Sequence, residues 1–164
     1  MGRVFSVRSL AAAQLAQAFP LMHAVEPALT PESWRDYGEA LAAPDQPARG
    51  GVLAAFGEDG YIYGLCCYAW RPDPCADTRI LAVEQFVVLD LVDHPGAVDA
   101  LLGGIDRLAE RHQARHIDIA IPARQALVTS RDGAPAEAFR KAGYVAEGIK
   151  LCKRLDGAPA ASRG

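Results

Sequence analysis

Apolar positions along the chain recur with two periods. A period of two marks a strand, and a period near 3.6 marks a helix face. VFSVR, residues 4–8, reads as a short strand. Residues 9–24 read as a helix, with Leu10, Ala13, Leu15, Ala18 and Leu21 near helical spacing. TPESWRDYGEAL starts a second helix: Thr30 can cap it, Pro31 suits its first position, and Glu32 complements its dipole. PDQPARGG, residues 44–51, is a breaker-rich loop. GVLAAF and YIYGLCCYAW, joined by GEDG at 57–60, predict a hairpin, and RPDPCADT reads as the loop after it.

ILAVEQFVVLDL, residues 80–91, predicts a long strand buried on both faces. Residues 95–112 predict a helix. Val98, Leu101, Leu102, Ile105, Leu108 and Ala109 form one apolar stripe, Asp106, Arg107, Glu110 and Arg111 lie largely elsewhere, and Pro95 suits the first turn. HIDIAIP, residues 116–122, is a strand, followed by a loop over 123–133. A short helix at about 134–142 ends at Gly143, and strands follow at about 144–147 and 149–155. The order β-α-α-β-β-β-α-β-α-β-β predicts one α/β domain over residues 1–156, with helices against the faces of a mixed sheet. The small, polar tail 157–164 is expected to be disordered.

Composition removes several classes of function. The formal net charge of −3 argues against nucleic acid as the main partner, since phosphate neutralisation needs a basic face. No run approaches the ~18–20 apolar residues of a membrane span. Arg3 and Arg8 before SLAAAQLAQAF faintly suggest a signal peptide, but Gln14 and Gln17 interrupt the run, which reads better as an amphipathic helix. Of the four cysteines, Cys66, Cys67, Cys75 and Cys152, none forms a CxxC pair. Cys66 and Cys67 are adjacent and should face opposite sides of a strand. His112 and His116 are four apart, but a helix end separates them. No metal site is expected. Reduced thiols fit a cytoplasmic protein.

The order of elements, ending in AFRKAGYVAEGIKLCKRL, resembles the GNAT superfamily of acyl-CoA-dependent N-acyltransferases. Three segments carry the resemblance across residues 4–155: VEQFVVLDL leading into GAVDALL, the strand HIDIAIP, and AFRKAGYVAEG. It implies acetyl-CoA or another acyl-CoA as co-substrate, with a small amine or peptide amine as acceptor. By alignment, the backbone of Val87, Val88 and Leu89 would pair with the pantetheine arm. The helix start at His94, Pro95, Gly96, Ala97 and Val98 would hold the pyrophosphate, because first-turn amides and the dipole favour anions. Gly96 matches the family's RxxGxG or RxxGxA loop. Asp93 replaces its arginine and Val98 its last small residue. An Asp before a helix accepts the first-turn amides itself and repels phosphate, so weakened CoA binding is expected.

Acyl transfer from a thioester to an amine requires the amine to lose a proton. Glu84, in an otherwise apolar strand, is the candidate base, because a desolvated carboxylate suits that work near neutral pH. The competing reading has Glu84 facing solvent or pairing with an arginine such as Arg79. Phe139 aligns with the tyrosine that usually protonates the leaving thiolate, and it has no proton to give. Tyr144 reads as a core aromatic. Tyr61, Tyr63 and Tyr68 lie on the hairpin. Trp34 and Tyr37 either line the acceptor cleft or pack in the core. Two functions remain open: a GNAT-type acyltransferase, or a non-catalytic GNAT-like binding or regulatory module. Pairing of two copies through the C-terminal strands is a third, weaker thought.

Overall fold

A sheet with apolar residues at both parities needs cover on both faces, and the structure supplies it. The computed structural model describes residues 4–41, 49–88, 95–121 and 137–147. They contain β1 (Phe5–Ser9), α1 (Leu15–Val25), α2 (Pro31–Leu41), β2 (Gly50–Gly57), β3 (Ile62–Pro72), β4 (Arg79–Val88), α3 (Pro95–Arg111), β5 (His116–Ile119) and α4 (Glu137–Lys141). The strands form one sheet in chain order. Neighbours are antiparallel except β4 and β5, which are parallel. A parallel return requires a crossover, and α3 provides it. No helix among the described residues is long and apolar enough to cross a membrane.

Two cores result. On one face, Val52, Ala54 and Phe56 of β2 pack with Leu15, Ala18, Leu21 and Met22 of α1 and Trp34 of α2. On the other, Leu53 and Ala55 pack with Leu101, Leu102, Ile105 and Ala109 of α3 and Phe139 of α4. Cys66 and Cys67 divide between the two cores, as neighbours on a strand must. Each fully buried Leu or Ile of α3 contributes about 1.5–3 kcal/mol of apolar transfer. The α1–α2 contact is close. The Trp34 indole donates to the Leu15 carbonyl at 2.7 Å. One turn on, a Cβ at Gly38 would come within 2.5 Å of Leu15 Cδ2.

Three elements differ from the sequence expectation. The first helix starts later than residue 9, because the sheet holds its expected beginning. Ser9 pairs with Leu53, and the Leu10 amide donates to the Val52 carbonyl at 2.8 Å. A short 3-10 turn (Ala12–Gln14) then leads into α1. Arg71 and Pro72, expected in a loop, extend β3 opposite Ile80 and Arg79. Asp73 closes the shortened turn: its carboxylate accepts the Cys75 amide at 2.8 Å and faces Arg115 Nη1 at 3.4 Å.

Residues 144–147 form no ladder with any described strand. The Tyr144 amide instead closes α4 by donating to the Phe139 carbonyl at 2.9 Å, and the Gly143 amide donates to Arg140 at 3.0 Å. Gly143 turns the chain at φ +86°, the left-handed conformation that a helix stop favours. The expected strand at 149–155, the loop at 123–133 and the tail lie outside the described residues.

Candidate active site

On β3, Cys67 pairs with Gln85, while the next residue, Tyr68, pairs with Val83. Glu84 is therefore the extra residue of a β-bulge, the device by which a sheet re-aims one side chain. The bulge reverses the facing of β4. Val87 packs in the α1–α2 core, whereas Val83 and Leu81 pack in the α3 core. On an unbroken strand, residues 83 and 87 would share a face.

Glu84 emerges between two side chains. Arg71 of β3 forms an ion pair with it, Nη2 to Oε1, with the two side chains 59% and 39% exposed. The Tyr37 phenol of α2 lies near the same side chain. Burial, followed by the nearness of Cys67 and Glu84, holds the Tyr37 phenol above its usual range, so it keeps its proton. Its ring lies 6.2 Å from that of Trp34. The expectation of a desolvated Glu84 is thus replaced by a half-exposed, paired carboxylate. Its partner is Arg71 rather than Arg79, whose carbonyl accepts the Arg115 amide at 2.9 Å. The bulge and the two-residue extension of β3 account for both changes. Such a carboxylate can accept a proton or bind an ammonium ion.

Beside Glu84 the described pairing of β4 with β5 stops. Pairing of β4 with β5 ends at Val83↔Ile119, and a last bond runs from the Ala120 amide to the Val83 carbonyl at 2.9 Å. Among the described residues, no strand pairs with the β5-facing edge of residues 84–88. Unpaired main-chain donors and acceptors there can pair with an extended ligand carrying amides. The Val87 and Val88 side chains are occupied in the two cores, leaving their backbone for that role. Leu89, Asp93 and His94 lie outside the described residues.

At the start of α3, Gly96 and Ala97 offer first-turn amides, while Pro95 has none to donate. Ala97 is fully buried and Val98 leans on the α3 core. Phe139 sits in that core, 5.2 Å from the Phe86 ring and 5.8 Å from the Tyr144 ring. The Tyr144 hydroxyl is buried without a hydrogen-bond partner among the described residues, and burial pushes its phenol above the usual range. Tyr68 faces the α3 core, and Tyr63 donates to Asp59 at 2.6 Å. Neither shares the Glu84 cluster. Trp34 is a core residue. His112 packs 5.0 Å from Trp70, and His116 Nε2 lies 3.4 Å from Asp118.

Arg71 was absent from the candidates drawn from sequence. One signal could have found it: Leu65 and Cys67 point toward α1 and α2, and the same alternation reaches Arg71. The proline-rich segment that follows masked the strand's continuation.

No family model matches the sequence, and no curated protein matches it closely. Solved structures do match its fold. A ribosomal-protein-alanine N-acetyltransferase from Brucella melitensis biovar Abortus 2308 is 17% identical with a TM-score of 0.69, covering 93% of this chain and 100% of that one. The aminoglycoside N-acetyltransferase AAC(6')-Iy, in complex with CoA, is 16% identical with a TM-score of 0.70, covering 94% and 98%. A transcriptional regulator from Bacillus halodurans C-125 is 11% identical with a TM-score of 0.73, covering 93% and 100%. At these identities the likeness is one of fold.

Proposed function

From a chain with the fold of the GNAT N-acetyltransferases, we propose a cytoplasmic acyl-CoA-dependent N-acyltransferase that modifies a small amine or peptide amine. The observation that carries this reading is the β4 edge at residues 84–88, unpaired among the described residues, with Glu84 beside it. The backbone of Val87, Val88 and Leu89 would hold the pantetheine arm. The α3 start, from His94 to Val98, would face the pyrophosphate through the amides of Gly96 and Ala97. Acetyl-CoA supplies the acyl group as a thioester. Glu84, directly or through one water, takes a proton from the acceptor nitrogen as that nitrogen forms its bond to the acyl carbon and the C–S bond breaks. With Phe139 unable to donate, the leaving thiolate takes its proton from solvent.

A second reading is a binding or regulatory module. Two observations favour it: Arg71 and Tyr37 already engage Glu84, and Phe139 stands where a proton donor is expected. Thermal unfolding with and without acetyl-CoA separates the two, because a ligand that binds only the folded state must raise the midpoint. The acyltransferase reading expects stabilisation by acetyl-CoA, and a larger one in Asp93→Arg, which restores a cation before α3. No response from either protein abandons the enzyme in favour of the module.

A further inference from the structure

We propose that the acceptor amine carries a carboxylate a few ångströms from its nitrogen, and that Arg71 binds this carboxylate by exchanging it for Glu84. The proposal rests on the acyltransferase reading and deepens it.

Three observations lead there. First, the Arg71–Glu84 pair stands at the surface with both side chains partly exposed, so either partner can be reached from solvent. An exposed ion pair is worth only ~0–1 kcal/mol, which makes it easy to exchange. Second, a groove of about 330 Å³ adjoins the pair, lined by Trp70, Arg71, Pro72, Asp77, Thr78 and Arg79. That volume falls at the small end of ligand sites. Third, the groove is asymmetric in charge. It holds two guanidinium groups against the one carboxylate of Asp77. The Arg79 guanidinium has no hydrogen-bond or ion-pair partner among the described residues, and the Asp77 carboxylate faces none either.

The chemistry follows from these placements. A bare amine enters as an ammonium and meets Arg71 in front of Glu84, with Arg79 nearby. Like charge repels it, and nothing draws Arg71 aside. An amino acid brings its own anion. Its carboxylate takes the planar fork of Arg71 in the two-point geometry that guanidinium favours. Its ammonium then meets the freed Glu84, sheds one proton to solvent, and as a neutral amine gives its second proton to that carboxylate while it attacks the thioester. One ion pair becomes two, and the base is released only when an acceptor of the right charge pattern is present.

The test uses the full-length protein with acetyl-CoA and matched acceptors: alanine, leucine and phenylalanine, the corresponding ethylamine, isoamylamine and 2-phenylethylamine, and β-alanine and 4-aminobutyrate for wider spacing. Free-thiol release gives turnover, and calorimetry in the presence of CoA gives binding. At least one carboxylate-bearing acceptor should exceed its matched amine, or the best amine of the panel, by ten-fold or more in kcat/KM. Arg71→Gln should erase that preference mainly through KM, and Arg71→Lys should retain part of it. Lys keeps the charge without the fork, and it decides the matter if the Gln variant fails to fold. Equal use of acids and amines, a preference unchanged by Arg71→Gln, or acetyl-CoA binding with no carboxylate-bearing compound bound overturns the proposal and leaves the acyltransferase reading standing. Absence of any acetyl-CoA binding overturns both.

Discussion

The Tyr37 phenol, from helix α2, is held protonated by burial and lies near enough to the Glu84 carboxylate, from strand β4, for that charge to hold its proton more tightly still. The two residues are far apart in sequence, and their nearness brings α2 to the β4 bulge. Tyr37→Phe keeps the ring and removes the hydroxyl. Loss of a hydroxyl beside the charged base should lower acyl transfer about ten-fold, equivalent to ~1.4 kcal/mol. Folding holds the Tyr37 proton more tightly than the unfolded chain does. That contribution is complete below the ordinary tyrosine value of about 10 and is lost as pH rises through the higher folded value. The stability difference between wild type and Tyr37→Phe should therefore narrow in strong alkali, measured by urea unfolding across pH.

Glu84→Gln removes the carboxylate and preserves the shape. General-base catalysis commonly contributes 10²–10⁴-fold, and a loss of about 100-fold in turnover is expected with acetyl-CoA binding retained. The half-exposed pair with Arg71 supports stability by no more than ~1 kcal/mol, so unfolding should hardly change. Near wild-type turnover in this variant removes Glu84 from the chemistry.

Trp34 distinguishes packing from hydrogen bonding between α1 and α2. Trp34→Phe removes the indole donor from a Leu15 carbonyl that lies in the first turn of α1, and should cost about 0.5–1.5 kcal/mol for the bond. Trp34→Ala adds a cavity and should cost about 3–5 kcal/mol. Denaturant titration of both variants reads the two contributions, and equal losses would show that the cavity adds nothing beyond the lost bond.

Asp106, on α3, has its carboxyl held above the usual range, first by desolvation and then by Glu110. Folding therefore favours its protonated form. This advantage is full below the unfolded value near 3.9 and disappears as pH rises through the raised folded value. Asp106→Asn should accordingly unfold at a higher temperature than wild type at pH 7, with the gap closing near pH 3. A gap independent of pH would assign the effect to packing.

Thiol labelling should be sharply selective. Burial pushes the Cys66 thiol up to about 12 and raises Cys67 as well, whereas Cys75 is exposed. Native protein treated with iodoacetamide at pH 8 should carry the label on Cys75 and none on Cys66 or Cys67 until denaturant is added. Peptide mapping checks this.

Most of the fold was legible in the sequence because long periodic segments announce themselves. The α3 stripe from Leu101 to Ala109, the GEDG hairpin and the Gly143 stop all stand where their patterns place them. The site was less legible. Glu84 and Tyr37 were visible as candidates, yet Arg71 was hidden because its strand runs on into a segment rich in proline and aspartate. The bulge has no signature of its own. It exists only because β3 and β4 pair out of step, and pairing between strands is a tertiary fact. That residues 144–147 pair with no described strand was equally hidden, since the Tyr144 amide serves either a strand or a helix end.

The extra residue in β4 acts on the sheet as an inserted base acts on a reading frame. Everything upstream of Glu84 is read in one phase and everything downstream in the other. Leu81 and Val83 reach the α3 core, and Val87 reaches the α1–α2 core, only while the insertion is present. Deleting position 84 would put one half of the strand out of phase and turn its apolar side chains inside out. Substitution can silence the carboxylate, but the residue that carries it cannot be excised without forfeiting the sheet. The position of the candidate carboxylate is thereby inherited together with the fold.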